Sequence, residues 1–322
     1  MRVMLITNPN STSQDSSVMR HVFPALDAVE GAEYFVRLTQ YPGHAEEIVQ
    51  DLTREDYDVV VAVGGDGTVS EVINGLLGSP DDPRDPQEVP ALGVVPTGSA
   101  NVFARALGFS GFPEDAAVEL AQTLRDNSRR TIRLGVWETP SDGEQRWFGV
   151  NAGFGIDADV LAAVDKQRAK GHAATPARYL WITVKTWRDA LRNPKRIKVQ
   201  ATNGKKEISL SGMPLIFASN TNPWTFLGPV PVVTNPGNSF DKGLGLFGLK
   251  SLQGWSGLAG LFHLFGAHMF SSDEVVTMDD VQELEMQVPD EARFQADGEV
   301  VGKCDLVKLS SVAGAIEVLA PQ

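Results

Sequence analysis

The sequence predicts an α/β protein with two unlike halves, and three observations carry that prediction. From Arg2 to Val95, short apolar strands alternate with amphipathic segments of helical length. One of those strands, Asp58–Val63, is almost wholly β-branched and runs straight into Gly64-Gly65-Asp66-Gly67-Thr68. Beyond about Arg133 the texture changes to short alternating strands with hairpin turns. Regular strand–helix alternation predicts a doubly wound parallel sheet. The later pattern predicts a C-terminal β-rich part, antiparallel and sandwich-like.

The elements follow in order. Arg2–Thr7 reads as a buried strand that stops at Asn8-Pro9, and Ser17–Ala28 as a helix. Ala32–Leu38 is a second strand, followed by a helix over His44–Leu52. The Asp58–Val63 run suits a central parallel strand covered on both faces. Thr68–Leu77 places Val69, Val72, Ile73 and Leu76 on one helical face. Ala91–Val95 is the next strand, ending at Pro96-Thr97-Gly98-Ser99. In the second half, Arg146–Asn151, Ile197–Ala201, Glu207–Leu210, Met213–Ala218, Leu244–Leu249, Val281–Val288 and Ile316–Leu319 read as strands, with Asn203-Gly204 as a hairpin turn. The expected division is 1–130 and 131–307, with residues 308–322 returning to the first part.

Composition narrows the function. The chain has 322 residues, enough for two cores, and a net charge of -13 that opposes general nucleic-acid binding. Cys304 is the only cysteine, so no intrachain disulfide forms and a reducing, cytoplasmic compartment is expected. The apolar start is too short for a signal-peptide core, and no stretch of about 18 uninterrupted apolar residues predicts a membrane span. The five histidines show no zinc-ligand spacing.

Three loops leave the C-terminal ends of the predicted parallel strands, where open α/β sheets bind ligands: Asn8–Ser11, Gly64–Thr68 and Pro96–Asn101. Glycines let backbone N–H groups approach phosphate oxygens, and a helix opening beside them adds its positive dipole end. Asp66 inside such a cradle makes sense as a contact to Mg2+, to a metal-bound water or to an acceptor hydroxyl. No Gly-Lys-Ser/Thr follows, so the loop is not a P-loop.

Gly64–Thr68 with Glu71, Asn74 and Gly75 resembles the nucleotide loop of the diacylglycerol kinase catalytic-domain family, which includes bacterial soluble lipid kinases and the sphingosine kinases. Asn8-Pro9, Thr39 with Gly43-His44-Ala45, Pro96–Arg105, Asn151–Ala158 and Asp297-Gly298-Glu299 are similar to further family motifs, in the family's order along almost the whole chain. The resemblance implies ATP and Mg2+ bound between a Rossmann-like N-terminal nucleotide-binding domain and the β-rich domain. By motif match, Asn8, Thr39, Gly64, Gly65, Asp66, Gly67, Thr68, Glu71, Ser99 and Asn101 contact the nucleotide. Asp297 or Glu299 takes the proton from a lipid hydroxyl, diacylglycerol first, with Asp66 completing the catalytic set and ligating metal. Phosphoryl transfer needs positioning, a metal and a carboxylate near the nucleophile, which agrees. Taken without the resemblance, Asp297-Gly298 reads as a solvated hairpin turn.

The chain departs from the family pattern at three places. Val102 stands where many members have aspartate, and so does Arg133; Asp157 is a candidate substitute. Lys242 stands where a structural metal ligand is expected, leaving Asp241 as the tentative ligand. Residues 166–198 hold ten Lys or Arg against the single acid Asp189. A basic amphipathic helix over 176–193, with Trp181 and Trp187, fits anionic lipid on the inner face of a membrane. Its plainer alternative is a helix packed on its own domain with a solvated basic face. Trp255, Leu258, Phe262, Phe265 and Met269 form another helical stripe, read as core first. An edge strand in the β-rich part offers a route to a homodimer. The alternative functions are a lipid- or nucleotide-binding homologue without catalysis, and an NAD kinase-like enzyme. Gly153-x-Gly155-x-x-Ala158 formally fits a dinucleotide fingerprint but lacks the βαβ context.

Overall fold

The computed structural model describes residues 1–8, 16–154, 189, 191–253 and 273–321. The first part runs β1 (Arg2–Thr7), α1 (Ser16–Asp27), β2 (Glu33–Leu38), α2 (His44–Val49), β3 (Val59–Gly64), α3 (Asp66–Leu77), β4 (Ala91–Pro96), α4 (Val102–Ala106) and α5 (Pro113–Asp126). Its strands are parallel in the order β4-β3-β1-β2. All six residues of β3 and of β4 are buried, which is why these runs are continuously apolar rather than alternating. On the sheet's flank, α5 begins with Pro113 in its first turn and buries Ala116, Ala117, Leu120 and Leu124.

The second part runs β5 (Arg129–Thr139), β6 (Glu144–Phe148), β7 (Asn151–Phe154), β8 (Ile197–Thr202), β9 (Glu207–Met213), β10 (Leu215–Ser219), β11 (Thr225–Leu227), β12 (Val230–Val232), β13 (Leu244–Leu249), β14 (Val275–Val281), β15 (Glu283–Ala296) and β16 (Glu299–Leu319). Its pairings are antiparallel. Among the described residues three apolar clusters form, one about the parallel strands, one among β7, β8, β10 and β13–β16, and a smaller one of Leu215, Phe217, Phe247, Leu249 and Leu252.

Element bounds differ from the sequence expectation at several places: the expected strand Val281–Val288 is divided between β14 and β15, Met213–Ala218 between β9 and β10, and three further differences bear on the site. Helix α3 begins at Asp66, two residues early, so Asp66 and Gly67 belong to its first turn. The strand expected over Arg146–Asn151 is broken at Gly149-Val150 into β6 and β7. The short C-terminal strand is part of a 21-residue β16. That strand pairs with β15 at its start and with β5 over Lys308–Leu319. Its end lies beside β4 through Val318 and Leu92, so one continuous sheet passes through both parts. Buried Ile316, Val318 and Leu319 fix that end in the first core.

No helix among the described residues is long and apolar enough to cross a membrane. The expected basic helix over 176–193 (save Asp189 and Leu191–Asn193), the stripe from Trp255 to Met269, Asp157 and Pro9–Ser11 lie outside the described residues.

Candidate active site

The parallel register aligns the C-terminal ends of four strands: Thr7 opposite Leu38 and Val63, and Gly64 opposite Pro96. Two hydrogen bonds carry the ladder one residue further, from the Thr39 N–H to the Thr7 carbonyl at 2.9 Å and from the Thr97 N–H to the Gly64 carbonyl at 2.9 Å. Asn8, Thr39, Gly65 and Thr97, the residues that follow those strand ends, therefore lie side by side.

The glycines are required by close approach. A Cβ on Gly98 would lie 2.7 Å from the Gly65 Cα, so only glycine lets these two loop backbones touch. A Cβ on Gly67 would lie 2.6 Å from Glu299 Oε1. The carboxylate at the start of β16 thus rests directly on the first turn of α3. That turn's N–H groups have no intrahelical partner, and the helix dipole favours negative charge there. Thr39 and Asn101 are buried, whereas Ser99 is exposed.

Asp66 has a defined structural task. Its carboxylate accepts the Val102 N–H at 3.0 Å and the Phe103 N–H at 2.9 Å, holding the start of α4. Burial pushes its carboxyl above the ordinary carboxylate range, opposed by these same amide bonds. Val102 thus contributes its backbone at a position where an acid was expected. Asn101, at φ 51°, closes the turn by accepting the Gly98 N–H at 2.8 Å and donating to the Gly98 carbonyl at 3.0 Å. Glu71 uses both oxygens to accept the Gly43 N–H at 2.8 Å and the Ala45 N–H at 3.0 Å, so it anchors the start of α2.

Asp297 and Gly298 form the β15–β16 turn, both with positive φ, as a tight hairpin requires. The turn's tip is exposed at Gly298 and Glu299, but Asp297 is withdrawn from solvent, being only 7% exposed. Its carboxylate accepts the N–H groups of Gly149 at 2.8 Å, Val150 at 2.7 Å and Asn151 at 3.2 Å. These are the amides released by the break between β6 and β7. Burial pushes its carboxyl up to about 6; the Gly149 and Val150 bonds oppose that, the Asp66 charge adds to it and a Ser70 hydroxyl bond lowers it. Sequence reasoning missed Gln295, which donates to Asn151 at 2.7 Å and accepts the Gly298 N–H at 3.1 Å. Its signal was position alone, near the end of β15 and two residues before Asp297.

Helix α4 joins the two parts. Phe103 packs edge-on against Phe240, with ring centroids 5.3 Å apart. Arg105 lies 3.2 Å over the Phe226 ring and donates to the Gly228 carbonyl at 3.1 Å. Arg133 donates to Gln282 at 2.8 Å and to Ser311 at 3.1 Å, so it serves the second part's framework.

The acids at this site suit Mg2+ held jointly with nucleotide phosphates, since magnesium commonly takes one or two carboxylates and completes its shell with phosphate and water. An all-protein cage is another matter. Among the described residues no group of three or more His, Cys, Asp or Glu is placed to hold a metal. Asp241, the tentative ligand, is exposed and pairs with Arg130 at 2.7 Å. The neighbouring Lys242 ammonium donates to the Gly237 carbonyl at 2.6 Å, which puts a positive charge in the loop where a metal was expected.

Residues 2–136 match the diacylglycerol kinase catalytic domain model. The chain is 35% identical over 136 residues to a diacylglycerol kinase of Bacillus subtilis (strain 168), covering 42% of this chain and 41% of that one. It is 37% identical over 157 residues to a "Probable lipid kinase YegS-like" of Xanthomonas oryzae pv. oryzae (strain MAFF 311018), covering 49% and 48%. Each of these matches spans less than half of the curated relative's length. The crystal structure of a diacylglycerol kinase from Bacillus anthracis str. Sterne superposes with a TM-score of 0.68 over 99% of this chain and 96% of that one, at 18% identity, which shows a shared fold. Residues 2–136, which hold both the Gly64–Thr68 loop and the Pro96–Asn101 turn, are the part of the chain that is similar to the diacylglycerol kinase catalytic domain.

Proposed function

We propose that this chain is an ATP-dependent lipid kinase that transfers the γ-phosphate of ATP to a lipid hydroxyl, with diacylglycerol the first candidate acceptor. The observation that carries the reading is the seat of Glu299 on Gly67. It sets one carboxylate from the β-rich part against the glycine loop that would cradle the phosphates.

In this reading the first-turn amides of α3 and the Gly98–Ser99 backbone bind the phosphates, and Thr39 lines the nucleotide side. Glu299 accepts the proton of the lipid hydroxyl. The oxygen then bonds to the γ-phosphorus as the bond to the β–γ bridging oxygen breaks, and ADP leaves. Mg2+ bound with the nucleotide would neutralise phosphate charge, held on the protein side by Asp66. Asp297 is the less suitable base, because three backbone amides already occupy its carboxylate. We assign it the positioning of the turn that aims Glu299.

Transfer of radiolabelled γ-phosphate from ATP into a mixed lipid extract tests the proposal. Glu299→Gln should lower kcat at least about 100-fold with ATP affinity unchanged. A Glu299→Gln enzyme within threefold of wild type would remove Glu299 from the chemistry. Normal ATP binding with no labelled lipid from the wild type would favour the binding protein without catalysis.

A further inference from the structure

The chain carries a net charge of -13, yet one region of its β-rich part is strongly basic. A cleft of about 740 Å³ lies between the segment leading into β8 and the part of β15 at Val288–Glu291 where its pairing with β16 is interrupted. Arg192, Lys195, Arg196, Arg293 and Lys303 line it, against the two acids Asp290 and Glu291. A second cleft of about 370 Å³ shares Lys195 and Arg196 and adds Lys250. Five of these six cations are exposed, and Lys195 is half-buried. Leu191, Pro194, Pro214 and Leu252 give the second cleft an apolar lining. Arg293 and Lys303 stand directly opposite each other across the β15–β16 ladder, which puts two cations side by side on one face of the hairpin.

The placement ties this patch to the candidate active site. Arg293 is four residues before Asp297 and Lys303 four residues after Glu299 on the same hairpin. At about 3.3 Å per residue the cations lie roughly 13 Å from the turn that bears both acids. Cations interleaved with apolar surface suit an anionic amphiphile. At that separation, a bilayer's phosphates would meet the cations while a neighbouring lipid's hydroxyl is within reach of the turn.

We propose that these two adjoining clefts dock the protein on an anionic phospholipid bilayer and hold the β15–β16 turn at the headgroup level. The proposal rests on the lipid-kinase reading for its purpose, but its test requires no turnover. Sedimentation with vesicles is measured without ATP, comparing phosphatidylcholine alone with an equal mixture of phosphatidylcholine and phosphatidylglycerol. The wild type should prefer the anionic vesicles at least about tenfold, and added salt should erase the preference. Arg196→Glu with Lys303→Glu should weaken binding on the order of 30-fold, at about fivefold for each basic residue lost near an anionic surface. Its melting temperature and its activity on a short-chain soluble lipid should stay at wild-type values. The control is Lys205→Glu with Lys206→Glu, the same charge change in the β8–β9 turn. That turn lies roughly 20 Å along β8 from Arg196, beyond two Debye lengths at physiological salt. The control should bind vesicles within about twofold of wild type. No preference for anionic vesicles, or equal loss in both double variants, overturns the docking surface. So does displacement by submillimolar inorganic phosphate, which would make the clefts a small-anion site. Vesicle binding without any lipid phosphorylation would sink the kinase reading and leave the docking surface standing.

Discussion

Gly67→Ala should separate stability from catalysis in one substitution. The new Cβ would lie 2.6 Å from Glu299 Oε1, and ordinary contact begins near 3.4 Å, so the carboxylate must retreat by 3.4 − 2.6 = 0.8 Å. The obstructing atom is the end of a side chain on the exposed tip of a hairpin, so the fold can yield there. Gly67 is in the first turn of α3, where alanine is the better helix former by up to about 1 kcal/mol. The expected stability change therefore runs from zero to about 1 kcal/mol in favour of the variant. A displacement near 1 Å of a group aimed at the nucleophile costs on the order of 100-fold in rate, or about 2.7 kcal/mol of barrier. Steady-state phosphate transfer should show kcat falling about that much, with ATP affinity and melting temperature at or above wild type. Gly98→Ala is the contrast, because its Cβ would meet the Gly65 backbone at 2.7 Å. Nothing there can rotate away, so stability should fall by about 1–3 kcal/mol and ATP affinity with it. A Gly67→Ala enzyme with wild-type kcat would refute the reasoning, since Glu299 would then have no positional role.

Two further outcomes follow from the buried acids. The Asp297 carboxyl is raised from its ordinary 3.8 to about 6, so the folded protein holds that proton more tightly than the unfolded chain. Its contribution to stability is complete below about pH 4 and is lost as pH rises through about 6. At 1.36 kcal/mol per pH unit the loss is about 3 kcal/mol, and Asp297→Asn should flatten that portion of a denaturation-versus-pH curve. An unchanged slope in the variant would show that other groups carry it. Asp66→Ala leaves the Val102 and Phe103 N–H groups without their acceptor, which should cost about 2–4 kcal/mol in urea unfolding. Asp66→Asn keeps one acceptor oxygen and should cost about half as much; equal losses would argue that charge, not the amide bonds, sets the effect.

The sequence by itself determined the parallel half of this protein. A strand such as Val59–Gly64, apolar at every position, can only be stable when covered on both faces, and a glycine loop entering a helix marks the ligand end of such a sheet. Glycine at 65 and 98 was legible because the approach of the two loop backbones forbids a side chain there. The local chemistry of Asp297-Gly298 was also legible as a turn. Only the tertiary structure decided whether that turn was solvent-facing or part of the site, because burial depends on amides 146 to 148 residues away. The tasks of the other acids were decided in the same way. Asp66 meets α4, Glu71 meets the start of α2, and Asp241 meets Arg130. The 21-residue β16 joins both parts through pairings that no local pattern encodes. Side-chain periodicity and turn chemistry are set by neighbours in the chain. Which donors a carboxylate meets is set by how distant strands come together in register, and that was decided only in the folded molecule.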